Sequence, residues 1–197
     1  LVGNMIRKLK NNILTRILTN SRRPPAAGWE VDIITAIGGQ LGLEHRRDAD
    51  ITSAFPAVPM PYLGQKHYVR ARGKLLERLC EAFKVPFDHR ATDLVWELKK
   101  NLYGFPAAQD FFDEHLGTML QTDGWELICP DVSFHMWVKF ADGVDPKVHS
   151  PNDIIALLVK YVDDLRYFAR TKAIADAVTE FLERVYGKFR DISEDTG

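Results

Sequence analysis

Apolar positions recur along this chain with two periods, and each change of period marks an element boundary. Met5, Ile6, Leu9, Ile13, Leu14, Ile17 and Leu18 fall three and four apart, which predicts an amphipathic helix over 5–19, ended by Arg22-Arg23-Pro24-Pro25. Val31 to Leu41 predicts a second helix, weakened by Gly38 and Gly39. A strand is predicted from His45 to Asp50, followed by an irregular loop imposed by Pro56, Pro59 and Pro61. His67 to Ala71 reads as a short strand and 74–83 as a helix. After a polar stretch from Pro86 to Asp93, Leu94 to Leu98 alternates as a strand would.

The second half repeats the logic. Phe111, Phe112, His115, Leu116, Met119 and Leu120 share one face of a helix expected from Ala107 to Gln121, stopped by Asp123-Gly124. Strands are expected over 132–140 and 154–160, joined by an exposed loop with Gly143, Pro146 and Pro151. A hairpin, a strand over 165–169 and a last helix from Lys172 to Lys188 follow, with Ile174, Val178, Phe181, Leu182 and Val185 as the inner stripe of that helix. There is no internal repeat and no low-complexity tract. The order of strands and helices predicts one α+β unit, a mainly antiparallel sheet with helices packed on one face.

Composition changes this picture little. A chain of 197 residues, 46% hydrophobic and 27% charged, suits one domain with a core. The formal net charge of −1 excludes a global basic field, but not a local one. Arg7, Lys8, Lys10, Arg16, Arg22 and Arg23 crowd one stretch, and Lys66, Arg70, Arg72, Lys74 and Arg78 another. Cys80 and Cys129 are distant and lack metal-ligand spacing, so a disulfide framework is not expected and a reducing, intracellular setting is. No apolar stretch reaches the length of a membrane span, and no signal-peptide pattern occurs. The chain opens on Leu1-Val2-Gly3-Asn4 and closes on Asp195-Thr196-Gly197, which reads as two cuts through a longer polypeptide.

Candidate chemistry is concentrated in three segments. Tyr161-Val162-Asp163-Asp164 follows the apolar run Ile154 to Val159 and precedes Leu165-Arg166-Tyr167-Phe168. Adjacent carboxylates at the tip of an apolar hairpin repel each other and resist desolvation. Such density of charge suits a divalent cation; the plain alternative is an acidic turn between two strands. Asp50, in Asp50-Ile51-Thr52-Ser53-Ala54-Phe55, ends a strand just before the proline-rich loop and is placed to face a cleft. Its plain alternative is a turn-capping Asp, and Asp48 is its rival for the same role. The third segment runs from Val95 to Phe105, where Gly104 would let backbone approach a ligand; a strand-to-helix turn with packed aromatics is the plain alternative. Arg166 stands out in an otherwise apolar strand and would pair with an acid or reach a phosphate.

Taken together, Asp50-Ile51-Thr52-Ser53-Ala54-Phe55, Leu98-Lys99-Lys100-Asn101-Leu102-Tyr103-Gly104 and Tyr161-Val162-Asp163-Asp164 resemble, in order and rough spacing, the reverse transcriptase of copia-type LTR retrotransposons. His67-Tyr68-Val69, the stretch 124–134 and Lys188-Phe189 are smaller matches, and the resemblance runs from about Val31 to Gly197. It implies the palm of a right-hand polymerase, with 1–197 as a single palm-containing domain. The start of the fingers would precede Leu1, and the thumb and ribonuclease H would follow Gly197. The implied activity is that of an RNA-directed DNA polymerase, a nucleotidyltransferase cut from a retrotransposon polyprotein. The resemblance implies two Mg²⁺ ions, with Mn²⁺ as a substitute, to stabilise the attacking and leaving oxygens of the in-line displacement. Asp50 and Asp163 would bridge them and Asp164 would support, all three being catalytic; the spacing to Ala54 and Phe55 favours Asp50 over Asp48.

The same resemblance places Phe55 beneath the nucleotide sugar, where a bulky ring leaves no room for a 2′-hydroxyl. Ala54 and Tyr161 would share the nucleotide site, with hairpin packing the alternative for Tyr161, and Gly104 and Val162 would touch template and primer. Implied partners are an RNA template, a DNA or RNA primer, deoxynucleoside triphosphates, and the integrase and ribonuclease H of the polyprotein. No membrane is implied; cytoplasm, virus-like particles or nucleus are the implied places. One segment departs from the family. The Gln, Pro and Arg that usually follow Leu-Tyr-Gly fall on Ala107, Gln109 and Asp110, so its contacts are not carried over, and Gln109 would replace the amide only after a shift. Lys188 is either the lysine near the leaving pyrophosphate or a surface lysine at a helix end. The second functional reading is an inactive relic or co-opted nucleic-acid-binding domain of the same fold. A third, an RNA-dependent RNA polymerase or intron-type enzyme, is opposed by Phe55 and the Tyr-Val-Asp-Asp form.

Overall fold

The computed structural model describes residues 28–60, 64, 66–86, 93–144, 150–187 and 190–191. The helix predicted over 5–19 and the candidate Lys188 lie outside the described residues. In chain order the elements are α1 (Gly28–Gln40), β1 (His45–Asp50), α2 (Ala54–Ala57), β2 (Tyr68–Arg72), α3 (Gly73–Ala82) and β3 (Asp93–Glu97). Then come α4 (Ala108–Thr122), β4 (Trp125–Leu127), β5 (Met136–Phe140), a 3₁₀ turn (Pro151–Asp153), β6 (Ile154–Tyr161), β7 (Asp164–Ala169), α5 (Lys172–Tyr186) and β8 (Arg190–Asp191). No helix among the described residues is long and apolar enough to cross a membrane.

The chain is a mixed α/β fold around a six-stranded sheet in the order β4-β5-β6-β7-β1-β8, antiparallel throughout. β6 and β7 are central and lie next to each other through their hairpin, while β1 arrives from far upstream to pair with β7. Helices cover both faces of this sheet rather than one. Ala49, Leu158, Leu165 and Tyr167 pack with Phe111, Phe112 and Leu116 of α4 and Val178 and Leu182 of α5. On the opposite face Leu157, Val159 and Phe168 pack with Ile34 of α1 and with Leu43. The cause is visible in β6, whose unbroken apolar run Ile154 to Val159 presents oily side chains to both sides, so neither face can stay in water. Gly38 serves this second contact, since a Cβ there would lie 3.1 Å from the Phe168 ring.

A smaller unit stands beside the main sheet. β2 and β3 form a two-stranded ribbon, closed on one side by Leu76 and Cys80 of α3 against Ala71, Leu94 and Trp96. Most boundaries follow the pattern of apolar positions within a few residues. Three differ for physical reasons. Pro56 sits inside α2, one helical turn, because a proline in a first turn sacrifices no hydrogen bond. The strand expected over 132–140 starts only at Met136, since Ser133 turns back to donate through its backbone to Cys129 at 2.8 Å and its hydroxyl donates to the buried Glu30 carboxylate. β4 and β8, of three and two residues, are too short to carry a period, and the sequence reading omits both.

Candidate active site

The acidic segments meet at one end of the central sheet. β6 and β7 close through a two-residue turn, Val162 and Asp163, with Tyr161 opposite Asp164. β1 pairs with β7 in a register that sets Asp50 opposite Asp164 and Asp48 opposite Arg166. Just past Asp50, the Ile51 backbone N–H donates to the Asp163 carbonyl at 3.0 Å. The end of β1 is therefore stitched to the turn itself. Ala49, Ile51 and Leu165 are buried between and beside the acids and hold the two strand ends down.

Alternation along the strands then decides what faces what. Arg46, Asp48 and Asp50 lie on one face of β1, and Asp164 and Arg166 on the same face of β7. Asp48 accepts from Arg166 Nε at 2.6 Å and from Arg46 Nη2 at 2.5 Å. Burial alone would push the Asp48 carboxyl up, but hydrogen bonds and charge from Arg166 and Arg46 outweigh it and hold the group below its ordinary value. Asp164 behaves oppositely: burial raises it, and the charges of Asp163, Asp50 and Asp48 raise it further. A cleft of about 280 Å³ opens here, lined by Val31 of α1, Asp48, Val159, Tyr161, Asp164 and Arg166.

The segment around Gly104 comes to the same place by another route. Asn101 is fully buried; its backbone N–H donates to the Val58 carbonyl at 3.0 Å, and its side-chain amide donates to the Ala108 carbonyl at 2.8 Å. Met60 donates to the Lys99 carbonyl at 2.9 Å, so the loop after α2 runs beside residues 99–101. This brings Tyr103 against Phe55, ring centres 4.9 Å apart, with Phe112 edge-on to Phe55 at 6.1 Å. The Tyr103 phenol is pushed up by burial and then by the charges of Asp163 and Asp50, which locates it in the field of the acids. The sequence reading gives Tyr103 and Asn101 no role; their only signal there is the string Asn101-Leu102-Tyr103-Gly104 itself. Gly104 has φ 80° with open space around it, so a left-handed turn accounts for the glycine. Ala54 is buried, Phe55 half-buried against the core, and Tyr161 exposed.

Strain marks the same place. Among the described residues three non-glycine positions have positive φ: Ser53 at 61°, Lys84 at 54° and Val162 at 57°. Two of the three flank the acids. A β-branched residue in the left-handed region is an outlier that surrounding structure must impose.

Asp50, Asp163 and Asp164 thus share one sheet end, joined there by Asp48, Phe55 and Tyr103. They do not form a ready ion cage. Among the described residues no group of three or more acidic, His or Cys side chains lies close enough to hold a metal. The donor set still fits a hard cation. Every candidate ligand is a carboxylate oxygen, the mutual repulsion at Asp164 is of the kind a cation relieves, and Mg²⁺ takes only one or two carboxylates when waters and substrate phosphates complete its shell.

Neither a family model nor a curated protein matches the chain. Among solved structures it is similar to a telomerase from Candida albicans in complex with a TWJ fragment of telomeric RNA, at 13% identity and a TM-score of 0.47, over 98% of this chain and 36% of that one. It is also similar to an apo telomerase from Candida tropicalis truncated from its C-terminal domain, at 12% identity and a TM-score of 0.38, over 96% of this chain and 39% of that one. The chain spans little more than a third of either telomerase, and no inference about function rests on a likeness this distant.

Proposed function

We propose that this chain carries the palm of a copia-type reverse transcriptase, an RNA-directed DNA polymerase that extends a primer along an RNA template. In that reaction the primer 3′-oxygen bonds to the α-phosphorus of a deoxynucleoside triphosphate, the bond to the β-phosphate oxygen breaks, pyrophosphate leaves, and the hydroxyl proton passes to solvent. One observation carries the reading: β1 delivers Asp50 opposite Asp164, and Ile51 bonds the Asp163 carbonyl, so two distant motifs form one acidic end. Asp50 and Asp163 would hold Mg²⁺, with Asp164 in support, and the ions would supply charge stabilisation of the attacking and leaving oxygens. Phe55, backed by Phe112 and Tyr103, presents a wall that would favour a sugar without a 2′-hydroxyl. Tyr161, exposed at the strand end, and Val162 in the turn would meet the primer terminus, and Gly104 lies in the turn beside Tyr103.

The test is primer extension on an RNA template with Mg²⁺ and deoxynucleotides, run with the chain alone and fused to the fingers and thumb of a copia-type enzyme. Incorporation that Asp163→Asn abolishes is expected. Absence of incorporation from both forms would refute the polymerase. The dispersed ligand set favours one second reading, a nucleic-acid-binding domain that keeps the fold without the chemistry. That reading expects salt-sensitive RNA binding, unaltered by Asp163→Asn, and no extension.

A further inference from the structure

Arg166 has three carboxylates to choose from. Asp48 stands directly opposite it on β1, Asp50 is diagonal to it, and Asp164 precedes it by two residues on the same face of β7. Residues two apart on a strand are separated by about 7 Å, and diagonal cross-strand neighbours by about 7–8 Å, both within reach of a guanidinium. The side chain takes Asp48. Nε donates to Asp48 Oδ1 at 2.6 Å and Nη2 lies 3.4 Å from Oδ2, while Arg46 holds Oδ2 from the other side. The pair lines the cleft beside Asp164, half-buried, where an ion pair is less screened than on open surface.

We propose that Asp48 is a positioning residue: it holds Arg166 away from Asp50 and Asp164 and so keeps those carboxylates open to a divalent cation. The proposal rests on the reading of Asp50, Asp163 and Asp164 as cation ligands. An arginine on the rim of a cation site is a built-in competitor, because a guanidinium satisfies two carboxylate oxygens as a fork. Asp48 offers that fork a fixed partner at the register position opposite. Without the Asp48 charge, nothing on that face of β1 other than Asp50 would remain to pair with Arg166, and the arginine would occupy the site as a tethered cation.

The test is Mn²⁺ binding by the full chain, read from the free-ion electron paramagnetic resonance signal, with no nucleotide or primer present. Asp48→Asn keeps the shape and removes the charge; it is expected to weaken Mn²⁺ binding about tenfold, while Asp48→Glu keeps binding within about threefold of the parent. In an Arg166→Gln background, Asp48→Asn is expected to change binding by less than about threefold, because the competitor is gone. Circular dichroism spectra that match the parent confirm that each variant folds. The proposal is overturned if Asp48→Asn binds like the parent. It is overturned equally if the double variant is as weak as Asp48→Asn, which would make Asp48 itself a ligand. Parent binding that Asp163→Asn leaves unchanged overturns the cation reading, and this proposal with it.

Discussion

Lys160 offers the sharpest energetic test, because it stands immediately before Tyr161 yet points away from the acids. Its ammonium meets Asp113 of α4 at 2.6 Å, and each side chain is only 1% exposed. The same Nζ approaches the Asp113 carbonyl at 3.4 Å. Among the described residues Asp113 Oδ2 has no hydrogen-bond partner. Desolvation offsets most of the attraction in such a pair, so its net contribution is small, but breaking it strips a buried charge of the counter-charge it was folded against. Asp113→Asn should therefore destabilise by about 3–5 kcal/mol, a fifth or more of the roughly 5–15 kcal/mol that a domain has. Replacing both, Asp113→Leu with Lys160→Met, should be neutral or stabilise by up to about 4 kcal/mol. Urea unfolding followed by tryptophan fluorescence reports both, since Trp125 and Trp137 are buried in the core that α4 covers. Asp113→Asn within 1 kcal/mol of the parent, or a double variant as unstable as the single one, would refute the reasoning. A double variant that is stable and still extends a primer would assign the pair to structure alone.

Asp164→Asn should stabilise the metal-free protein at neutral pH. A carboxylate raised by burial and by like charges contributes stability that is full below its ordinary range and is lost as pH rises through the folded value. The exposed side chain screens the effect, so a gain of no more than about 1 kcal/mol is expected. Urea unfolding in chelator at pH 4 and pH 7, compared between parent and variant, reads it directly, and identical pH slopes would count against the electrostatics. Phe55→Val should open the wall beneath the sugar and raise ribonucleotide over deoxynucleotide incorporation by on the order of tenfold or more. Single-nucleotide extension measures that ratio, and an unchanged ratio would remove Phe55 from the nucleotide site.

The hairpin was legible in the sequence because its information is local: an apolar run, two acids, and a second alternating strand. The meeting of Asp50 with Asp164 was not legible from periodicity, which says that a strand exists and nothing about its neighbour. Only the resemblance pointed there. The second helical face was written into Ile154 to Val159, an unbroken apolar run that a one-faced sheet would not need, and α1 answers it. For Arg166 the sequence left a choice between an acid and a phosphate; register decides it, because the residue opposite in β1 is Asp48. Asn101 reads in the sequence as an ordinary polar residue, although its backbone N–H ties the Gly104 segment to Val58 after α2 and its side-chain amide ties it to Ala108 of α4.

The costs gathered at this sheet end favour the proposed cation site over an ordinary acidic turn. A two-residue hairpin turn is cheapest with Asn-Gly or Asp-Gly, whose residues accept positive φ. Here the position is filled by Val162 at φ 57°, and Ser53, just past Asp50, is held at φ 61°. Each such residue costs of order 1–3 kcal/mol and persists only where its neighbours impose it. The neighbours do: Ile51, Ala54 and Leu165 are buried almost completely on either side of the two strained positions. The strain and the raised carboxyl of Asp164 thus lie within a few residues of each other, against a core large enough to offset both. An acidic turn selected only to end two strands gains nothing from a third carboxylate opposite it, nor from an arginine held to one side by a fourth. A site that must receive a divalent cation gains from both, because the cation relieves the repulsion among the carboxylates and the held arginine leaves them open to it.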